Sequence, residues 1–111
     1  MPTIGWDDFA KVDVRVGRIV AAEAFPEARK PAFRLRVDFG PLGVKASSAQ
    51  ITRRYGPEDL VGRLVVAVVN FPPKRVAGFE SEVLVLGVMV AADDVVLLAP
   101  DREVQPGLPV A

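Results

Sequence analysis

A cationic segment between two apolar runs carries residue types that suit a binding site. It opens at Asn70, passes through two prolines into Lys74 and Arg75, and closes at Ser81. Ammonium and guanidinium groups bind phosphates and carboxylates, whereas amides and hydroxyls contact sugars and base edges. Because proline fixes φ and lacks a backbone donor, we predict a stiff loop that does not extend the flanking sheet. The alternative is an ordinary connection whose cations are only solvated.

The residue types disfavour catalysis. The chain has no histidine and no cysteine, so it lacks the usual ligands of structural zinc and the commonest general base. Ser47 and Ser48 follow Lys45 closely, as in a Ser–Lys nucleophile, but no oxyanion motif accompanies them. We therefore predict a binding protein with no catalytic residues, no metal and no cofactor.

Length and composition indicate one small domain. The 111 residues, half of them apolar, suffice for a single core. No apolar run reaches the ~20 residues of a membrane span. Acids near the N-terminus stand where a signal peptide has its basic region. We expect a single domain over residues 1–111 that is cytoplasmic and not inserted in a membrane.

The charges are segregated although the formal net charge is zero. Residues 29–75 hold ten lysines and arginines against three acids, whereas residues 76–111 hold one arginine against six acids. This distribution predicts one positive face if folding keeps the regions apart. The alternative is that folding interleaves them into solvated ion pairs.

Short apolar and alternating segments predict an all-β chain. The alternation changes phase at Gly17, which predicts a bulge or bend in the first strand. A Gly56–Pro57 step limits the segment after the third strand to a short helix or turns. The apolar runs 64–71 and 83–90 predict two neighbouring buried strands. The expected strands are 12–22, 33–39, 44–48, 64–71, 83–90 and 95–98. This order fits a five-stranded Greek-key OB-fold barrel with a short helix after strand 3.

Extensions remain at both ends, over residues 1–11 and 99–111. Trp6 and Phe9 are three residues apart, which predicts one helical turn with an apolar edge. This edge would pack on the domain's own core or on a partner subunit. The proline-rich tail keeps apolar residues at 104, 108 and 110, so we expect it to lie against another surface.

Four blocks of the sequence resemble a known family. They are FAKVDVRVGRI at 9–19, SSAQITRRY at 47–55, NFPPKRVAGFESEVLVLG at 70–87 and VLLAPDREVQPG at 96–107. Together they resemble the tRNA-binding OB-domain family, and within it the branch of CsaA-type export-associated chaperones. Related domains are appended to methionyl-tRNA synthetases or occur as free-standing tRNA-binding proteins. Arg75 departs from the lysine usual in tRNA-binding members, and Val76 and Leu84 replace their methionines.

The resemblance implies a homodimer with two candidate ligands, tRNA and unfolded or precursor polypeptides, and with the export machinery as a candidate partner. A CsaA-like chaperone is the first prediction, and a trans-acting tRNA-binding protein is the alternative. The predicted RNA contacts are Lys45, Ser48, Gln50, Asn70, Lys74, Arg75 and Ser81. The predicted polypeptide contacts are Phe71, Pro72, Val76 and Phe79, which alternatively only close the barrel end. The predicted dimer interface contains Trp6, Phe9, Val104, Leu108 and Val110. Asn70 has the alternative role of satisfying backbone groups at a strand end.

Overall fold

The computed structural model describes all 111 residues and consists mainly of short strands. Helix α1 (Trp6–Ala10) precedes strands β1 (Val14–Ala24), β2 (Phe33–Asp38) and β3 (Val44–Ala49). A 3₁₀ turn (Gly40–Leu42) separates β2 from β3, and helix α2 (Pro57–Leu60) follows β3. The chain continues through β4 (Leu64–Val68), β5 (Lys74–Val76), β6 (Phe79–Ser81), β7 (Leu84–Val85), β8 (Gly87–Ala91) and β9 (Asp94–Leu97). None of the helices is long and apolar enough to cross a membrane.

Five strands form an antiparallel, nearly closed barrel in the order β3-β2-β1-β4-β7. Two separate hairpins, β5–β6 and β8–β9, are attached to it. The predicted all-β, OB-like architecture and the short helix after the third strand are confirmed. The predicted single helical turn in the N-terminal extension is also present as α1.

The core is one cluster of 11 buried residues inside the barrel. Alternate residues of β2 point into it, because successive side chains of a strand face opposite sides of the sheet. Leu35 and Val37 are completely buried, and Arg36 between them is exposed. The core also contains Ile19, Phe33, Phe39, Ala49, Ile51, Leu60, Val65, Ala67 and Val83.

The bulge in the first strand lies at a different place from the one predicted. The strand's register with β2 shifts between Ile19 and Ala21 rather than at Gly17. Gly17 instead permits close packing, because a Cβ there would lie 2.5 Å from Val37 Cγ1 and 2.7 Å from Phe39 Cε1. The glycine therefore serves the core, and the bulge lies further along the strand.

The prediction of one buried strand over 83–90 is wrong. The run divides into β7 and β8, and Val88, Met89 and Val90 are exposed. The chain leaves the barrel at Gly87, where a Cβ would lie 2.4 Å from Val95 Cγ1. The following strand pairs only with β9 and places apolar side chains on the surface.

The two extensions differ in how they contact the barrel. The tail follows β1, since Gly107 N donates to Val16 O (2.7 Å) and Val110 N donates to Val14 O (2.8 Å). Helix α1 has no buried residue, and Trp6 is 89% exposed. The alternative that α1 packs on the domain's own core is therefore wrong.

Candidate binding groove

A wide concavity lies beside hairpin β5–β6 and has a volume of about 1400 Å³. We call it the hairpin groove. Its lining comes from residues 28–30, 32, 48–51, 71–72, 74–77, 81–87, 89, 92 and 95, and 14 of these 24 residues are hydrophobic. Several distant parts of the chain therefore meet at one apolar surface.

The predicted stiff loop proves to be a β-hairpin. Lys74 pairs with Ser81 and Val76 with Phe79, and Ala77 and Gly78 form the turn with φ of 47° and 82°. Two consecutive residues with positive φ match the twist of paired strands. The hairpin forms a sheet of its own, separate from the barrel sheet. The segment thus does not extend that sheet, as predicted, but it pairs with itself.

Side chains from the end of the hairpin close the barrel against the outer edge of β3. The Ser81 hydroxyl accepts from Ser48 N (3.0 Å), and the Glu82 carboxylate accepts from Ala46 N (3.0 Å). Glu82 N returns a hydrogen bond to Ala46 O (2.8 Å). We call this contact the seam. It leaves the Ser81 hydroxyl hydrogen available to a ligand.

Eight of the eleven predicted ligand contacts line the hairpin groove. They are Ser48, Gln50, Phe71, Pro72, Lys74, Arg75, Val76 and Ser81. Phe71 is 52% exposed and offers an apolar ring to a ligand. The structure therefore brings five of the seven predicted RNA contacts and three of the four predicted polypeptide contacts to the same surface.

The three remaining candidates, Lys45, Asn70 and Phe79, do not line the groove. Asn70 Oδ1 accepts from Asp13 N (2.9 Å) and its Nδ2 donates to Lys11 O (2.7 Å). This favours its alternative role of satisfying backbone groups at a strand end. The Phe79 ring packs edge-to-face on Phe25, with 5.5 Å between centroids.

Four cations line the groove, against a single carboxylate. Lys74 and Arg75 were predicted, whereas Arg29 and Lys30 come from the proline-bounded loop between β1 and β2. Arg75 Nη1 lies 3.4 Å from Glu80 Oε1, and the other three have no ion pair. The lone acid, Glu82, is already bonded in the seam. The groove is therefore electropositive.

Elsewhere acidic residues of the region 76–111 form ion pairs with basic residues of the region 29–75, as the alternative prediction stated. Arg53 pairs with Asp93 (3.2 Å), and both oxygens of Asp94 accept from the Arg54 guanidinium, with Nη2 at 2.9 Å. Hydrogen bonds from Arg54 hold the pKa of the Asp94 carboxyl below its ordinary value of 3.8, although desolvation opposes this shift. The same hydrogen bonds raise the pKa of Arg54.

This Arg54–Asp94 pair fastens one wall of the groove. It joins the segment after β3 to the start of β9, and the Tyr55 hydroxyl accepts from Leu97 N (3.1 Å) nearby. Met89 and Val95 of the fastened hairpin line the groove. The sequence did not predict this pair, because nothing in the local pattern around Asp94 identifies a partner 40 residues away.

The sequence is similar to a known family of domains and to parts of longer enzymes. Residues 14–109 match the family described as "putative tRNA binding domain". The chain is 46% identical over 105 residues to methionine–tRNA ligase 1 of Sorangium cellulosum and 41% identical over 110 residues to methionine–tRNA ligase of Pyrococcus abyssi. The two matches cover 94% and 96% of this chain, but only 15% and 14% of the length of the two ligases.

Solved structures match over the whole chain. The CsaA chaperone of Bacillus anthracis is 58% identical with a TM-score of 0.96, covering 99% of this chain and 100% of that one. CsaA from Picrophilus torridus is 49% identical with a TM-score of 0.91, covering 98% and 100%. The MetRS-related protein from Pyrococcus horikoshii is 30% identical with a TM-score of 0.88, covering 100% of both chains.

Proposed function

This chain belongs to the tRNA-binding domain family, and we propose that it is a non-catalytic binding protein whose hairpin groove takes up segments of unfolded polypeptide. The observation that carries this proposal is the predominantly hydrophobic lining of a groove that lies open beside exposed cations. Full-length similarity to two CsaA chaperones supports the same function. Precursor polypeptides awaiting export are one class of client that the proposal includes.

The size and chemistry of the groove suit a chain segment. Its volume of about 1400 Å³ exceeds the ~300–1000 Å³ typical of small-molecule pockets. Phe71 and Leu84 are about half exposed, at 52% and 49%. Covering such side chains with client residues is favourable, because it removes apolar surface from water at roughly 25 cal/mol per Å².

Replacing Phe71 by aspartate tests the polypeptide proposal. Phe71→Asp removes an exposed apolar ring and puts a charge in the lining, so we expect binding of a denatured client to weaken by about tenfold, or ~1.4 kcal/mol. The measurement is suppression of client aggregation at low and high salt. Suppression should survive high salt, since apolar contacts are not screened.

Val61→Asp provides a matched control. Val61 is 53% exposed and lies outside the groove. It receives the same charge, and suppression should stay near the wild-type level. Equal loss in the two variants would count against the groove, and loss of suppression in wild-type protein on adding salt would count against an apolar site.

Transfer RNA is the second candidate ligand, favoured by the family and by the four groove cations. Binding to phosphates releases counterions, so log affinity should fall linearly with log salt. The double variant Lys74→Ala/Arg75→Ala should make that slope shallower by roughly one to two units, since each phosphate contact contributes ~0.7–0.9. Lys11→Ala/Arg102→Ala removes two exposed cations outside the groove and should leave the slope unchanged. A slope unaltered by the first pair would remove the hairpin from the RNA site.

We also infer a homodimer in which α1 and the tail contact the partner. Trp6 and Phe9 are 89% and 44% exposed, and Leu108 and Val110 are 46% and 40% exposed, whereas Val104 is half-buried. A chain lacking residues 1–8 should therefore sediment as a monomer, whereas the full chain should sediment as a dimer. A truncated chain that sediments as a dimer would exclude α1 as the main support of the interface.

A further inference from the structure

We propose that the hairpin groove selects polypeptide segments in which carboxylates flank an apolar stretch, and that it binds them in an extended conformation. This selectivity deepens the proposed uptake of unfolded polypeptide and rests on it. The carboxylates of the peptide would pair with the four groove cations. Its apolar residues would pack on the hydrophobic lining between the segments that supply those cations.

The cations come as two adjacent pairs on separate elements. Arg29 and Lys30 belong to the loop between β1 and β2, and Lys74 and Arg75 begin β5. All four are exposed, and only Arg75 has an acidic partner within the protein. A segment with acids at both ends can therefore reach cations on two elements at once, whereas a basic segment meets like charges.

Unpaired main-chain groups favour an extended segment. Strand β5 has a partner on one side only, so its other edge keeps free N–H and C=O groups. The main-chain groups of Gln50, just past β3, are hydrogen-bonded to no other residue. Both places line the groove. Extended peptides bind such edges through their own main chain, which gives affinity without requiring one sequence.

Three peptides with one apolar core test the charge preference. Their flanks carry glutamate, glutamine or lysine, and their affinities are measured by fluorescence anisotropy at low salt. We expect the glutamate-flanked peptide to bind about tenfold tighter than the lysine-flanked one, with the glutamine-flanked peptide between them. This difference should shrink as salt is added. Equal affinities, or the reverse order, would overturn the selectivity.

Charge reversal locates the preference. Arg29→Glu/Lys30→Glu changes two exposed, unpaired residues and should abolish or invert the ranking of the peptides. Arg36→Glu/Arg102→Glu makes the same change in net charge at exposed positions outside the groove and should preserve the ranking. If the two variants behave alike, the preference belongs to overall charge, and the assignment to these cations fails.

Backbone methylation tests the extended conformation. A glutamate-flanked peptide N-methylated at alternate residues keeps its side chains but loses donors along one edge. We expect it to bind at least about fivefold more weakly than the parent peptide. Equal affinity would overturn the extended mode. A denatured client is measured in parallel, so that failure of this inference can be told from failure of the proposed function. If the client binds while flank charge and methylation have no effect, only this inference fails. If neither the client nor the peptides bind, the proposed function fails too.

Discussion

The variant Gly17→Ala is expected to destabilise the barrel by roughly 1–3 kcal/mol, the range measured when a packed core receives an extra methyl group. The added Cβ would lie 2.5 Å from Val37 Cγ1 and 2.7 Å from Phe39 Cε1. Both neighbours are completely buried, so neither can move aside without disturbing the core. The measurement is the urea midpoint of unfolding, compared with that of the wild type at constant slope.

Two further variants separate crowding from a general effect of replacing glycine. At Gly5 a Cβ would meet no atom closer than 3.7 Å, so Gly5→Ala should leave the midpoint almost unchanged. Adding Val37→Ala to Gly17→Ala removes one of the two clashing side chains. The double variant should lose less stability than the two single changes added together. Strict additivity would show that the two residues do not crowd each other.

The variant Asp94→Ala is expected to loosen hairpin β8–β9 and to weaken client binding, because that hairpin supplies part of the groove wall. It leaves the Arg54 guanidinium without its partner and the buried start of β9 without its anchor. The loss should also depend on pH. Since the pKa of Asp94 is lowered in the folded protein, its ionised form stabilises the fold at pH values above the unfolded pKa of 3.8.

The stability difference between wild type and Asp94→Ala should therefore be constant at neutral pH and shrink as pH falls below about 4. Urea midpoints measured between about pH 2 and pH 7 check this. Asp93→Ala is the matched control, because Asp93 forms the neighbouring exposed pair with Arg53. Exposed pairs contribute little, so its midpoints should follow the wild type. A constant difference at all pH values would contradict the assigned role of Asp94.

Much of the barrel was predictable because half-buried strands alternate with a period of two. Phe33, Leu35 and Val37 occupy successive inward positions of β2, as their spacing predicts. The short helix was predictable from Gly56–Pro57, since proline suits the first turn of a helix and glycine suits the residue before it.

Apolar runs, in contrast, do not reveal what covers them. Val65 in β4 is completely buried, but Met89 in an equally apolar run is 69% exposed. The difference depends on where the chain turns away from the barrel at Gly87. Gly87 packs too closely against Val95 of the next strand to leave room for a Cβ, and Val95 is not adjacent to it in the sequence. Local hydropathy therefore predicted a strand in this run but wrongly predicted that its side chains are buried.

Prediction of the groove was limited in the same way. Lys74, Arg75 and Ser81 were found because they share one segment with recognisable chemistry. Arg29 and Lys30 lie in a separate loop between β1 and β2, and their sequence offers no sign that folding brings them to the same groove. Asn70 has suitable chemistry for RNA, yet its amide is bonded to Lys11 and Asp13, which are 59 and 57 positions away.

The seam has a consequence for how substitutions near the hairpin would act. Along this edge two β3 amide protons are held by a hydroxyl and a carboxylate rather than by another strand's main chain. Main-chain hydrogen bonds tolerate most replacements, whereas the bond to Ser48 N requires an acceptor at residue 81 and the bond to Ala46 N requires one at residue 82. Evolution or design could thus weaken the closure of the barrel at the seam by exchanging only those two side chains, with every strand left intact.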